Sequence, residues 1–495
     1  MTAYLIEDDW DDWFEFATMY SFVLFDKDGV RHELGSIKIG EFDMPKGQRR
    51  PGIPSNFTRL GSDFFSLGQD DEYYEALSKL DEDFRQEILV ALHDVAADPE
   101  LWKRALKEPV TGTSLLRSVK RATVEGQFRR LLQGGARLTR YSFKYSYPKR
   151  AAGGTPPPEL TFNVIPESSP PTNIHVIIGR NGVGKTYALH LMTKSLVAES
   201  AAARQSGSFT GNSETELPFA NLVTVSFSAF DEFVVMRERK DNSEGLQYSY
   251  IGLRRPTDGD KGQDAPKSPN MLTSEFVKSV RVCLKGPRSA RWNRALAMLQ
   301  SDPIFKEADV ATALADSESV LSDFEEEATA LFRRLSSGHK IVLLTIARLV
   351  ETVDEKTLVL MDEPEAHLHP PLLSAFIRAL SELLTNRNGV AIIATHSPVI
   401  LQEVPQACVW KLRRTGLNLV VEKPEIETFG ENVGILTREI FGLEVARSGF
   451  HRMLDDAAQQ NNSYEQALEQ FEGKLGGEAR AILRSLLLVK RKQSE

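Results

Sequence analysis

The chain has 495 residues, more than one ordinary hydrophobic core accommodates, so we expect several domains or one domain with large insertions. Its net charge of −9 argues against a wholly basic nucleic-acid-binding surface, though not against a local basic patch. Two cysteines, Cys283 and Cys408, are too few for a disulfide framework or a cysteine metal cluster. The acidic N-terminus is unlike a secretory signal, and no apolar run reaches the roughly 18 residues of a membrane span. We therefore expect a cytoplasmic protein that does not cross a membrane.

The first part of the chain combines strand and helix patterns. Residues 18–42 alternate like strands around the hairpin signal Asp28–Gly29, and residues 70–107 have helical apolar spacing. We predict an α+β extension at residues 1–137 that either binds a partner or completes the β lobe of the domain that follows. Residues 117–150 are strongly basic, with Glu125 as the one acidic residue, and could meet DNA, RNA or an acidic partner. A solvated helix face explains the same charges.

From residue 174 onward, apolar strands alternate with helices, which is the pattern of a parallel α/β sheet. The polar, Pro- and Gly-rich residues 240–270 are interpreted as a surface insertion, and residues 447–495 as a C-terminal helical segment. The predicted strands are residues 174–178, 222–227, 357–361 and 390–394.

The stretch "GRNGVGKT" matches the phosphate-binding P-loop pattern, and it lies between an apolar strand and a helical run, as that loop requires. Glycines let backbone N–H groups converge on phosphate oxygens, and the helix N-terminus adds partial positive charge. Lys185 would reach the β- and γ-phosphates and Thr186 would bind Mg²⁺. The alternative is a glycine-rich turn before a helix. The candidate nucleotide-binding residues are Gly179, Arg180, Asn181, Gly182, Val183, Gly184, Lys185 and Thr186.

Two further strands end in polar side chains. "TLVLMDEPEAHLHP" delivers Asp362, a Mg²⁺ ligand candidate, and Glu363, a candidate general base for an attacking water. "GVAIIATHSP" ends at His396, which could form a hydrogen bond with the γ-phosphate. The simpler interpretations are that the carboxylates cap the strand or the next helix, and that His396 is an ordinary polar loop residue.

A fourth motif, "LSSGHK", places Ser336, Ser337 and Gly338 at the start of an apolar helix. Free N–H groups and hydroxyls at such a turn suit an anion. On its own the turn could equally be an ordinary helix N-cap. The order of the four motifs is what favours a phosphate-binding role.

The four motifs follow one another in the order P-loop, "LSSG" turn, acidic strand end and His396. In this order, over about residues 138–446, the chain resembles the ABC-type ATPases of the SMC, RecF and overcoming-lysogenisation-defect group. "DEPEAHLHP", residues 226–233 ("SFSAFDEF") and residues 427–444 carry the closer likeness to bacterial defence ATPases. The resemblance implies an α/β fold: a P-loop parallel sheet flanked by helices, an antiparallel β lobe and an α-helical signature lobe. It also implies that ATP and Mg²⁺ are the cofactors.

In that group two ATPase domains, called heads, face each other. The turn that corresponds to "LSSG", called the signature turn, lies in one head and contacts the γ-phosphate held by the other. The resemblance therefore implies a homodimer or higher oligomer, with Ser336, Ser337 and Gly338 acting on a neighbour's nucleotide. It also implies that Glu363 is the base and His396 the switch. The chain departs from the group in having His339 where many relatives have Gln, and residues 226–233 lack the Gln of a Q-loop.

The resemblance leaves three functions open. The first is a sensor that regulates an effector protein, expected to be a nuclease encoded nearby, in anti-phage defence of the Septu, PARIS or retron-associated kind. The alternative is a RecF- or SMC-like DNA-repair ATPase that clamps DNA when it binds ATP. A transporter subunit is disfavoured, because it needs a Q-loop that couples to membrane helices.

Overall fold

The computed structural model shows how these segments are arranged. The residues that it describes are 2–8, 16–25, 29–45, 47–132, 140–149, 157–165, 168–198, 205–211, 219–227, 235–239, 246–255, 266–284, 288–310, 314, 321–415, 418–442, 449–461 and 463–494.

Fourteen strands lie in the described residues, in three sheets. They are β1 (Thr2–Glu7), β2 (Met19–Phe25), β3 (Arg31–Glu41), β4 (Phe64–Gly68), β5 (Tyr141–Ser146), β6 (Glu159–Val164), β7 (Ile174–Gly179), β8 (Ser208–Thr210), β9 (Asn221–Ser226), β10 (Gln247–Gly252), β11 (Thr357–Asp362), β12 (Val390–Thr395), β13 (Val409–Thr415) and β14 (Asn418–Glu422).

The α-helices of the described residues surround these sheets, and none of them is long and apolar enough to cross a membrane. They are α1 (Asp71–Ser78), α2 (Glu82–Ala91), α3 (Pro99–Ala105), α4 (Arg121–Thr123), α5 (Arg129–Leu132), α6 (Lys185–Val197), α7 (Pro269–Cys283), α8 (Arg288–Leu299), α9 (Pro303–Ala308), α10 (Leu321–Arg334), α11 (Ser337–Thr352), α12 (Pro370–Thr385), α13 (Pro398–Leu401), α14 (Val433–Phe441), α15 (Gly449–Gln460), α16 (Tyr464–Gln470) and α17 (Gly477–Ser494).

The largest sheet has seven strands in the order β10-β9-β11-β12-β7-β13-β14, parallel except for the last pair. Its inner strands are continuous apolar runs because both faces are covered. Val359 and Met361 pack into the core beneath α7, α8, α11 and α12, while Leu358 and Leu360 pack into the core on the side of α6. The predicted parallel sheet is confirmed, and its four predicted strands are β7, β9, β11 and β12.

A three-stranded antiparallel sheet, β6-β5-β8, covers the α6 side of the large sheet. Phe143 stacks on Phe162 at 4.9 Å between ring centroids, and meets Phe219 edge-on at 4.8 Å. Such aromatic contacts add to the free energy of burying large apolar surfaces. This sheet matches the antiparallel β lobe that was expected beside the P-loop sheet.

The described residues from 2 to 132, here called the N-terminal unit, form a four-stranded antiparallel sheet with helices against it. Strands β2 and β3 pair as the hairpin pattern predicted, with Gly29 at φ 78°, although Asp28 lies outside the described residues. The unit has its own hydrophobic core, in which Tyr73, Tyr74 and Phe128 pack together. In the described residues, none of its strands joins the seven-stranded sheet or the three-stranded sheet.

One interpretation of the sequence was wrong. Within residues 240–270, predicted to be a surface insertion, Gln247–Gly252 is the edge strand β10 of the large sheet, paired in parallel with β9. Tyr248, Tyr250 and Ile251 are buried there. The strand was missed in the sequence because it is short and the residues on both sides of it are polar, although its own tyrosines and isoleucine have high β propensity. Residues 240–245 and 256–265 lie outside the described structure.

Buried polar groups join the N-terminal unit to the large sheet. The carboxylate of Glu355, two residues before β11, accepts a hydrogen bond from the backbone N–H of Gln127 at 2.9 Å. The absence of a side chain at Gly126 allows this approach, since a Cβ there would lie 2.9 Å from Glu355 Oε1. Arg387 and Asp71 form a buried ion pair at 3.7 Å.

Some of the basic residues at 117–150 form ion pairs within the structure. Lys120 lies 3.6 Å from Asp354 and also contacts the side chain of Gln247. On the β lobe, Lys144 pairs with Glu159 at 2.8 Å. These cations thus have acidic partners other than Glu125, the one acidic residue noted within the stretch. Residues 133–139 and 150 lie outside the described structure.

We predict that Glu355→Ala destabilises the protein by about 1–3 kcal/mol, because the buried N–H of Gln127 loses its acceptor. The measurement is the free energy of unfolding from urea denaturation. The matched control is Glu100→Ala, which removes an exposed carboxylate paired with Lys103 at 2.7 Å and should change stability by less than about 0.5 kcal/mol. Equal effects of the two substitutions would contradict the interface described here.

Candidate nucleotide-binding site

The P-loop connects β7 to α6 in a conformation that depends on glycine. Gly182 and Gly184 have φ angles of 78° and 102°, in the left-handed region that residues with a side chain rarely adopt. A Cβ at Gly179 would lie only 2.5 Å from the carbonyl oxygen of Leu412. The loop ends at the first turn of the 13-residue helix α6. The first backbone N–H groups of a helix have no acceptor within the helix and can bind an anion.

Lys185, the first residue of α6, is buried inside this loop. Its Nζ donates to the carbonyl oxygens of Gly179 and Arg180, at 3.0 and 3.2 Å. Burial lowers the pKa of Lys185, while the carboxylates of Glu363 and Asp362 oppose that shift. The ammonium group is thus held at the loop opening by carbonyl groups that a phosphate can replace.

Thr186 and Asp362 line one cleft between α6 and the ends of β9 and β11, together with Thr224 and Ser226. Hydroxyl and carboxylate oxygens are the ligands that Mg²⁺ prefers, so these donors fit the ion expected beside a bound nucleotide. The structure therefore brings the two predicted Mg²⁺ ligands to the same place, although they are far apart in the sequence.

Glu363 follows β11 with φ 43°, a left-handed conformation that costs energy for a residue with a side chain. Its backbone N–H donates to the carbonyl of Ala394 on β12 at 2.9 Å, which holds it in this position. Its Oε1 lies 3.9 Å from Lys185 Nζ and 3.4 Å from His396 Nδ1. Glu363, which follows β11, thus contacts both Lys185, which follows β7 in the P-loop, and His396, which follows β12.

Glu365 is a site residue that had no assigned role in the sequence analysis. Its Oε1 accepts the backbone N–H of His396 at 2.9 Å and the hydroxyl proton of Thr395, and lies 3.3 Å from His396 Nδ1. His396 thus has a carboxylate on each of two sides, Glu363 and Glu365, and its side chain remains 45% exposed. Glu365 is the last residue of "DEPE", which was the sequence signal that could have identified it. The residues that it contacts lie at the end of a different strand, β12.

The signature turn has a different environment. Ser336 is the N-cap of α11, and its Oγ lies 2.6 Å from His339 Nδ1. Ser336 and Ser337 are exposed, whereas Gly338 is buried against the segment after β11. A Cβ at Gly338 would lie 2.5 Å from the carbonyl oxygen of His367. Ser336 therefore caps the helix, and Ser336 and Ser337 are both exposed.

The structure thus groups the predicted site residues into two sets. The first set lies in or beside the P-loop and consists of Lys185, Thr186, Asp362, Glu363 and His396. The described contacts of Ser336 and Gly338 are with His339 and with residues 367–368, none of which belongs to the first set. The Q-loop candidate, residues 226–233, falls mostly on residues 228–233, which lie outside the described structure.

Comparisons with known proteins agree with this geometry. Residues 221–402 match the family model described as "AAA domain, putative AbiEii toxin, Type IV TA system". The protein ea59 of Escherichia phage lambda is 40% identical over 508 residues, covering 98% of this chain and 95% of its own length.

Solved structures that share parts of the fold are more distant. An ATP-binding cassette of an ABC transporter, in its ADP conformation, is 13% identical and covers 63% of this chain and all of its own, with a TM-score of 0.33. UvrA2 from Deinococcus radiodurans is 13% identical and covers 58% of this chain and 38% of its own, with a TM-score of 0.27.

The P-loop after β7, the carboxylates after β11 (the Walker B motif, residues 357–363) and His396 after β12 lie at adjacent strand ends, as in an α/β fold of the ABC-ATPase type. The family model covers β9, β10, β11 and β12, whereas β7 and the P-loop lie before its first residue. The chain belongs to the family of the phage lambda protein ea59 and contains an ATP-binding ATPase domain of the ABC type.

Proposed function

We propose that this protein hydrolyses ATP at a site built by two copies of the chain, with the P-loop and Glu363 of one copy facing Ser336 of the other. One observation carries the proposal. Glu363 lies 3.9 Å from Lys185 and 3.4 Å from His396, while the exposed Ser336 contacts His339, which is not in that group. A second copy would supply the missing hydroxyl and helix N-terminus.

Within one copy, Glu363 is the residue best placed to act as general base. It lies beyond the end of a buried strand, where ligands bind in open α/β sheets. Its left-handed backbone turns the side chain toward the P-loop, 3.9 Å from the ammonium group of Lys185. Bound nucleotide would draw Lys185 onto phosphate and release Glu363 to orient and deprotonate a water molecule.

His396 and Glu365 would report on the γ-phosphate. The imidazole of His396 lies 3.4 Å from Glu363 and 3.3 Å from Glu365, so its position depends on both carboxylates. A hydrogen bond from His396 to phosphate would tie the state of the nucleotide to the orientation of the base. Thr186 and Asp362 would hold the Mg²⁺ that neutralises the developing charge.

The signature turn would act on the neighbour's nucleotide. Ser336, Ser337 and the first N–H groups of α11 form an exposed anion-binding end of a 16-residue helix. Positioning and charge stabilisation account for most of the catalysis of phosphoryl transfer. Hydrolysis should therefore depend on assembly of the two heads and rise with protein concentration.

For the biological role, we propose a sensor that uses ATP to hold or release an effector protein, expected to be a nuclease encoded nearby, in anti-phage defence. The matching family model names a toxin, which supports control of a toxic activity. The related protein ea59 belongs to a phage, which supports a role in conflict between competing phages. The RecF-like DNA clamp has less support, because Lys120 and Lys144 of the basic stretch already have acidic partners.

We predict that Glu363→Gln keeps nucleotide binding but lowers the rate of ATP hydrolysis by at least about a hundredfold, since it removes a general base. With Mg·ATP the variant should accumulate as a dimer, measured by analytical ultracentrifugation with and without nucleotide. Glu326→Gln, on the exposed face of α10, is the control and should behave as wild type. Hydrolysis by Glu363→Gln at the wild-type rate would show that Glu363 is not the base.

A second prediction concerns the defence role. Cells that express the chain together with its genomic neighbours should plate a panel of phages less efficiently than cells with an empty vector. Glu363→Gln should abolish the protection and Glu326→Gln should preserve it. Unchanged plating of every phage in the panel, with the proteins expressed, would contradict the defence role but leave the proposed ATPase site intact.

A further inference from the structure

We propose that Asp302, His339 and His369 form a binding site for a transition-metal ion of the zinc class, beside the signature turn. The three residues come from three separate elements. Asp302 is the N-cap of α9, His339 lies in the first turn of α11, and His369 is the N-cap of α12. Their side chains converge although they are far apart in sequence, so the cluster is a product of tertiary packing.

The spacing of the donor atoms is close to that of a metal site. Asp302 Oδ1 lies 3.1 Å from His339 Nε2, and Asp302 Oδ2 lies 3.4 Å from His369 Nε2. One donor atom from each residue lies within 4.8 Å of the other two. Zinc bonds of about 2.0–2.2 Å in a tetrahedron place neighbouring ligand atoms about 3.3 Å apart. The two oxygen–nitrogen separations are close to that value, and they involve the two different oxygens of Asp302.

The surroundings hold two of the three ligands firmly. The carboxylate of Asp302 accepts the backbone N–H groups of Ile304 and Phe305, at 2.9 and 3.3 Å. His339 Nδ1 faces the hydroxyl of Ser336, which can accept its proton and leave Nε2 for an ion. Ligating histidines usually have such a partner on the second ring nitrogen.

His369 gives the site an open side. Its side chain is 51% exposed, whereas those of Asp302 and His339 are 3% and 4% exposed. An ion would require His369 Nδ1 to give up the long contact of 3.4 Å from the backbone N–H of Leu372. Three protein ligands and an accessible fourth position suit Zn²⁺, and two imidazoles with one carboxylate do not suit Mg²⁺.

The alternative is a hydrogen-bonded network in which both Nε2 atoms carry protons and donate to Asp302. That network involves the same residues, and it differs in the tautomers of His339 and His369. The two arrangements are distinguished by metal affinity, because the network binds no ion.

The site would connect the signature turn to the loop that follows the Walker B carboxylates. His369 lies in that loop, and His339 contacts Ser336 directly. An ion would therefore fix the position of Ser336 relative to the segment after Glu363. This consequence rests on the proposed function of Ser336, but the metal site itself does not.

The test is a titration of chelator-treated protein with Zn²⁺ by calorimetry and with Co²⁺ by visible absorption, without nucleotide. Wild type should bind one equivalent. Asp302→Asn, which keeps a helix-capping oxygen, and His369→Ala should weaken binding by at least about tenfold. The control is His367→Ala, another exposed histidine two residues away, which should bind like wild type.

Two results would overturn the proposal: no saturable binding by folded wild type, or equal affinities of His369→Ala and His367→Ala. Circular dichroism melting checks that each variant is folded. Because the titration contains no nucleotide, its failure leaves the ATPase proposal standing. Conversely, loss of the ATPase proposal would not change the expected metal stoichiometry.

Discussion

The parallel pairing of β11, β12 and β7 is the constraint on which the candidate site depends. The three strands are buried on both faces, and their registers are set by the apolar residues that pack above and below. Their carboxyl ends therefore meet at one edge, which places Lys185, Glu363 and His396 in contact. A shift of β11 by one residue would exchange the side chains that pack on its two faces and would carry Glu363 away from the P-loop.

The same strand joins the site to the N-terminal unit. Glu355, two residues before β11, accepts the backbone N–H of Gln127, and Glu363 follows the strand directly. Rigid strands transmit small displacements because packed cores have few alternative arrangements. A partner bound to the N-terminal unit beside Gln127 would thus be separated from Glu363, the proposed general base, by one buried six-residue strand. This arrangement fits a sensor whose hydrolysis responds to an attached protein.

The sequence predicted those parts of the site that local chemistry determines. The P-loop glycines, Lys185 and the carboxylates after an apolar strand follow from a motif and its neighbours, and the structure places them together as expected. Glu365 could not be assigned, because its role comes from a contact with His396 across two strands. The interface at Glu355 and the Asp302 cluster likewise depend on tertiary packing. Strand β10 was missed because its flanking residues are polar.

The central claim, a site shared by two chains, is tested most directly by mixing two inactive variants. Lys185→Ala damages the P-loop, and Ser336→Arg blocks the exposed signature turn; each variant alone should be inactive. Random mixing should restore about a quarter of the wild-type ATPase rate, since about half of the dimers are mixed and each has one complete site. The control mixture of Lys185→Ala with Glu363→Gln, two lesions in the same half of the site, should stay inactive. No recovery in the first mixture, with the variants folded and exchanging subunits, would contradict the shared site.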